Sequence, residues 1–188
     1  MKYGEWTLGQ TEALLNKLGG TEVAFGILRG TIEVVTRVVS FIVGTFMILV
    51  DETKSVEELV KDGKFDWSND NITSQNFPKP ASGQKSKRKV VLFHFNKNMS
   101  SEAVIAEMDK ASCEPATIWD LLGLAAKEPD LQREFPIVAL KSVWRHPDGN
   151  LSVPALYCYA GGRILYLDCF EFGWREDYRF LGRRKYQK

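Results

Sequence analysis

Two histidines in 188 residues leave this chain little material for acid–base or metal chemistry. His94 lies in an apolar stretch and His146 precedes a turn proline, so neither sits at a spacing that pairs it with a nucleophile. Cysteine is equally scarce. Cys113, Cys158 and Cys169 are odd in number and form no Cys-x-x-Cys pair. That excludes a disulfide framework and a zinc ribbon, and points to a reducing, cytoplasmic compartment. No Gly-x-Ser-x-Gly elbow is present, and no glycine-rich phosphate loop follows a strand. Neither a cofactor nor a metal is expected. A net charge of +1 supplies no global field for nucleic acid or membrane. The main apolar run, Val38 to Val50, has 13 residues, whereas a spanning helix needs about 20. It reads as buried core, and no membrane insertion is expected. Glu5, Glu12 and Lys17 break up the first 20 residues, so no secretory signal is read there.

What the chain does carry is a strong pattern in its last third. Ile137 to Arg145 is a strand candidate, and His146-Pro147-Asp148-Gly149-Asn150 is a turn in which Pro fixes φ and Asp and Gly tolerate the rest. Leu151 to Tyr159 is the next strand, Ala160-Gly161-Gly162-Arg163 a hairpin turn needing positive φ, and Ile164 to Phe172 the returning strand. This predicts an antiparallel β meander in an α+β protein. With the turn at Gly161-Gly162, Cys158 opposes Leu165. Cys169 then lies four residues on, roughly 13 Å away, beyond the ~7 Å reach of a disulfide.

Upstream, Leu8, Leu14, Leu15 and Leu18 share a helical face that Gly19-Gly20 ends. Thr21 can cap a second helix through Leu28, closed by Gly30. Residues 31 to 50 are dense in β-branched side chains, with Phe46 to Val50 the safest strand. Ser55 to Glu58 has capping-box spacing for a helix that stops at Gly63. Asn69 to Lys89 reads as a polar, basic connector. Val90 to Phe95 is a strand, and helices follow from Ser100 or Ser101 and over residues 116 to 127. The expected organisation is an N-terminal mixed, mostly helical portion (1–68), the connector (69–89) and a C-terminal α+β domain (90–188).

Several segments together resemble a family of uncharacterised bacterial proteins. They are Leu8-Gly9-Gln10-Thr11-Glu12-Ala13, Asn16-Lys17-Leu18-Gly19-Gly20 and Leu28-Arg29-Gly30, then Thr53-Lys54 and Asp66-Trp67-Ser68-Asn69-Asp70. Cys113-Glu114-Pro115-Ala116 is similar to that family's Cys-Pro-Ala-Glu segment, displaced by one residue. The tail matches in outline through Asp148-Gly149-Asn150, Trp174, Asp177, Arg179-Phe180 and a basic end. The resemblance implies the boundaries drawn here and no chemistry.

Surfaces give the remaining signal. Alternation puts Tyr157, Tyr159, Ile164, Tyr166, Phe170 and Phe172 on one face of the hairpin. Leu156, Cys158, Leu165, Leu167 and Cys169 fall on the other. A sheet with both faces apolar is expected to be sandwiched between layers, with tyrosine hydroxyls at the rim. The sharper reading is an aromatic platform. Tyr157, Tyr159 and Tyr166 would stack bases, and Arg163, Arg179, Arg183, Arg184 and Lys185 would hold phosphates of single-stranded nucleic acid. The functional expectation is therefore a non-enzymatic binding protein, for a protein or single-stranded nucleic acid. One alternative is a hydrolase or transferase-type enzyme with Cys113 or carboxylates in a cleft between the halves. Another is a helix-turn-helix in which Glu22 and Arg29 read DNA.

Overall fold

A computed structural model describes residues 7–29 and 41–185. Contacts divide the chain into two compact units after Val39. Gly30, residues 31 to 40 and the last three residues of the basic tail lie outside the described residues.

The first unit contains α1 (Leu8–Leu18) and α2 (Thr21–Leu28). Thr7 and Gln10 form a reciprocal capping box, and Gly19 closes α1 at φ 96°, a left-handed value that costs glycine little. Thr21 lies inside α2 rather than at its cap, which is Gly20 without a side-chain bond. None of the residues in either helix is buried.

The second unit runs β1 (Ile42–Asp51), α3 (Val56–Gly63), β2 (Trp67–Ser68), β3 (Lys85–Phe93), α4 (Ser101–Lys110), β4 (Cys113–Pro115) and α5 (Ile118–Lys127). It continues with α6 (Leu131–Glu134), β5 (Ile137–Val138), β6 (Trp144–Arg145), β7 (Leu151–Tyr159), β8 (Gly162–Cys169) and β9 (Arg179–Arg184). Side chains start the longer helices. Ser55 with Glu58 and Thr117 with Asp120 complete capping boxes for α3 and α5, and Ser100 caps α4. Of the stretch read as a connector, Lys85 to Lys89 forms the first half of β3. The turns before it bury Ile72 and Phe77 in the core.

The strands form one sheet in the order β1-β3-β9-β5-β7-β8-β2. The protein is α+β, but the sheet is mixed rather than an antiparallel meander, because β5 pairs parallel with β9 and β2 parallel with β8. The expected strand from Ile137 to Arg145 is two short strands. Ala139 N–H bonds the Pro154 carbonyl at 3.1 Å, and Pro154 has no N–H to return. The chain then leaves β7 and rejoins it at Trp144 opposite Ser152. The hairpin itself is present, with Ala160 (φ 48°) and Gly161 (φ 80°) at its corner and Tyr159 opposite Gly162. This shifts the expected register by two residues, which leaves every side chain on its expected face because the strand period is two. Cys158 now opposes Arg163, so Cys169 lies six residues along β8, about 20 Å away; all three thiols are free.

Cores occupy both faces of the sheet. On one, Ile48, Leu92, Leu156 and Leu165 pack under α3 and α5. On the other, Phe93, Val138, Ala155 and Phe180 pack with α4 and Trp174. Ser101, fully buried, joins this second layer by donating to the Phe170 carbonyl (2.6 Å) and accepting from Trp174 Nε1 (2.8 Å). In the first layer, Arg88 bridges Glu52 (2.7 Å) and the fully buried Asp120 (3.2 Å), tying β3 to α5.

Candidate functional site

The three tyrosines do share one face of the β7–β8 hairpin. Tyr157 is half-buried, Tyr166 is 43% exposed and Tyr159 is 77% exposed. Parallel pairing of β2 with β8 sets Trp67 opposite Ile164, with its ring 6.1 Å from that of Tyr166. Trp67 is 47% exposed. Sequence reasoning missed it as a site residue, although a lone tryptophan in the polar run Asp66 to Asp70 was a visible signal. From there aromatic rings step inward. Tyr166 meets Tyr157 edge-on at 6.0 Å, Tyr157 meets Tyr178 at 6.0 Å, and Tyr178 meets Trp174 at 5.2 Å. The centre of the sheet is thus sandwiched, while the end at β8 and β2 presents rings to solvent.

Asp168 anchors this ladder. Its Oδ2 accepts from the Tyr157 hydroxyl, which lies 2.7 Å from the Tyr178 hydroxyl. Burial, then the bond to Asp168, pushes the Tyr157 phenol well above its usual range, so it stays a neutral donor. Burial raises Tyr178 likewise. The cluster can hold rings in place and offer hydrogen bonds; it is not set up to abstract a proton.

The expected cations are elsewhere. Arg163 is 7% exposed and lies on the opposite face, that of Leu165, so it cannot serve the tyrosines. Its guanidinium donates to Gly63 O (2.8 Å), Ala125 O (2.9 Å) and Gln132 Oε1 (3.3 Å), and stands over the Phe65 ring at 5.0 Å. Gly63 and Ala125 lie in the last turns of α3 and α5, where carbonyls lack helical partners and the dipole is negative. A buried charge is thereby stabilised by two helix ends. Gln132 completes the node by donating to the Tyr157 (2.6 Å) and Ile164 (3.1 Å) carbonyls. Arg179 stacks on Phe135 at 4.6 Å. Arg183 pairs with Glu114 (2.8 Å), Arg184 donates to the Ala111 carbonyl (2.9 Å) and Lys185 pairs with Asp109. The register levels Leu156 with Ile137 and Arg179. Arg183 is therefore roughly 17 Å along the strands from Tyr157. The structure brings the aromatic residues together and separates them from the basic ones.

The other expected chemistries find no assembled site among the described residues. Cys113 is buried, its Sγ on the Ala111 carbonyl at 3.5 Å, and burial pushes its thiol up, away from the thiolate that a nucleophile needs. His94 Nε2 lies 2.8 Å from the Glu176 carbonyl, not on Cys113. No three His, Cys, Asp or Glu side chains gather as metal ligands among the described residues. At the C-cap of α2, the Arg29 guanidinium lies 5.6 Å from the Phe25 ring. No helix among the described residues is long and apolar enough to cross a membrane. No protein-family model, curated protein or solved structure matches this chain.

Proposed function

We propose that this is a non-enzymatic binding protein that recognises another protein through the aromatic end of its sheet. The observation that carries the reading is the exposed ring set of Tyr166 and Tyr159 on the β7–β8 hairpin and Trp67 on the adjoining β2. Tyrosine and tryptophan give large contact area at low ordering cost and dominate protein interfaces. The carboxylates beside these rings, Asp66 on the Arg163 amide (2.6 Å) and Asp168 on the Tyr157 hydroxyl, disfavour a phosphate backbone. The five cations expected to hold phosphates are engaged elsewhere, Arg163 by helix ends, Arg179 by Phe135, and Arg183, Arg184 and Lys185 by Glu114, Ala111 and Asp109. Arg175, nearer the rings, is paired with Asp177, so a protein partner is favoured.

A photocrosslinking residue placed at Tyr159 tests this in the cells of origin. It should capture one defined protein, and the same probe at the exposed Lys110 should not. Capture of nucleic acid, or equal capture from both positions, would overturn the reading.

A further inference from the structure

The edge strand β1 exposes about half of Met47 and Leu49, an arrangement that edge strands ordinarily avoid. Both residues border a cavity of about 520 Å³ with α3 and α5, within the size range of small-molecule sites. Their carbonyls face α5, Met47 O accepting from Lys127 (2.8 Å) and Leu49 O standing against Gly123. Its remaining walls are apolar, from Leu59, Trp119, Leu122 and Ala126. Gly123 sets how closely α5 approaches, since a Cβ there would stand 2.7 Å from the Leu49 carbonyl oxygen. Trp119 is 5% exposed, and its indole N–H is buried without an acceptor among the described residues. Such a group is uncommon in a finished core.

The rim is charged and unbalanced. Lys54, Lys85, Lys87 and Lys127 face Asp51 and Asp62, a surplus of two positive charges. Lys54 is held by Asp62 (2.5 Å), Lys85 lies 3.7 Å from Asp51, and Lys127 donates to the Met47 carbonyl (2.8 Å). Lys87 makes no ion pair among the described residues.

We propose that this cavity binds a small amphipathic monoanion, an apolar chain ending in a carboxylate. The chain lies against Trp119 and Leu122, and the carboxylate sits at Lys87 and Lys85. The site is separate from the aromatic end, being at the opposite edge of the strand order, so either proposal can fail alone. Burial of the chain supplies the affinity and the lysine rim selects the sign of the head group.

Calorimetric titration of the full chain with decanoate, decyltrimethylammonium and acetate tests it. Decanoate should bind saturably at one site, about tenfold or more tighter than the cation of equal chain length, and acetate should not bind. Ala126→Trp, at an exposed position, should fill the cavity and abolish binding without unfolding the protein. Lys87→Ala should weaken it by about three- to tenfold. Absence of saturable decanoate binding, equal binding of the cation, or an unchanged affinity in Ala126→Trp would each overturn the proposal. A cavity filled by other residues of this chain or by a second copy would give the first of these results.

Discussion

Replacing Arg163 by alanine should destabilise the second unit severely, although an arginine beside a hairpin turn reads as a solvated phosphate ligand. Truncation leaves Gly63 O and Ala125 O, at 2.8 and 2.9 Å from the guanidinium, without that donor among the described residues. Hydrogen bonds to charged groups are each worth about 1.5–3 kcal/mol. Two of them place the loss at about 3–6 kcal/mol, before the Phe65 ring contact and the Gln132 bond are counted. For a unit of this size that is a fall in Tm of about 6–24 °C. Arg163→Lys keeps the charge but not the planar fork, so it should recover about half of the loss. Urea unfolding of the full chain, followed by tryptophan fluorescence, reads the change as a shift in midpoint at constant slope. An Arg163→Ala protein within about 0.5 kcal/mol of wild type would behave as an ordinary surface variant. The two-helix-end account of this residue would then be wrong.

Three further outcomes are expected. Gly161→Ala should cost about 1–2 kcal/mol because its φ is 80°. Gly162→Ala, in ordinary contact with its neighbours, should stay within about 0.5 kcal/mol, and a reversed order in chemical denaturation would move the turn. Glu57 is pulled down to about 2 by the Ser74 hydroxyl and then the Ser74 amide. Its folded pKa is depressed, so its contribution is complete above the unfolded pKa of about 4.3 and is lost as pH falls toward about 2. Ser74→Ala should flatten the urea midpoint across that window, and an unchanged pH profile would contradict the assignment. Cys113 should react with a thiol reagent more slowly than Cys158 or Cys169, both half-buried; fast labelling of Cys113 would revive a nucleophilic role.

Much of this fold was legible because local chemistry wrote it. Ser55 and Glu58 announced α3, and the two-sided alternation from Leu151 to Phe172 assigned the hairpin faces correctly even with the turn misplaced by one residue. The parallel pairs were not legible. β2 and β5 are two residues long, too short for any periodicity, and their partners are far away in sequence. The break after Val138 had a visible cause, Pro154, but its effect depends on which neighbour that strand meets. At the candidate site the tyrosines were readable from alternation. Read from sequence, Arg163 is the last residue of the turn and a phosphate ligand beside the tyrosines; the turn one residue earlier puts it in β8 on the Leu165 face, where two helix ends converge on its buried guanidinium. Trp67 enters the site only through tertiary pairing.

Hydroxyl-radical footprinting of the isolated protein tests the central claim most directly. Trp67, Tyr159 and Tyr166 should oxidise readily, while Trp119 and Trp174, nearly inaccessible, stay protected. Protection of Trp67 and Tyr166 to the level of Trp174 would mean that the aromatic end is covered, and that no ring surface is left to meet a partner.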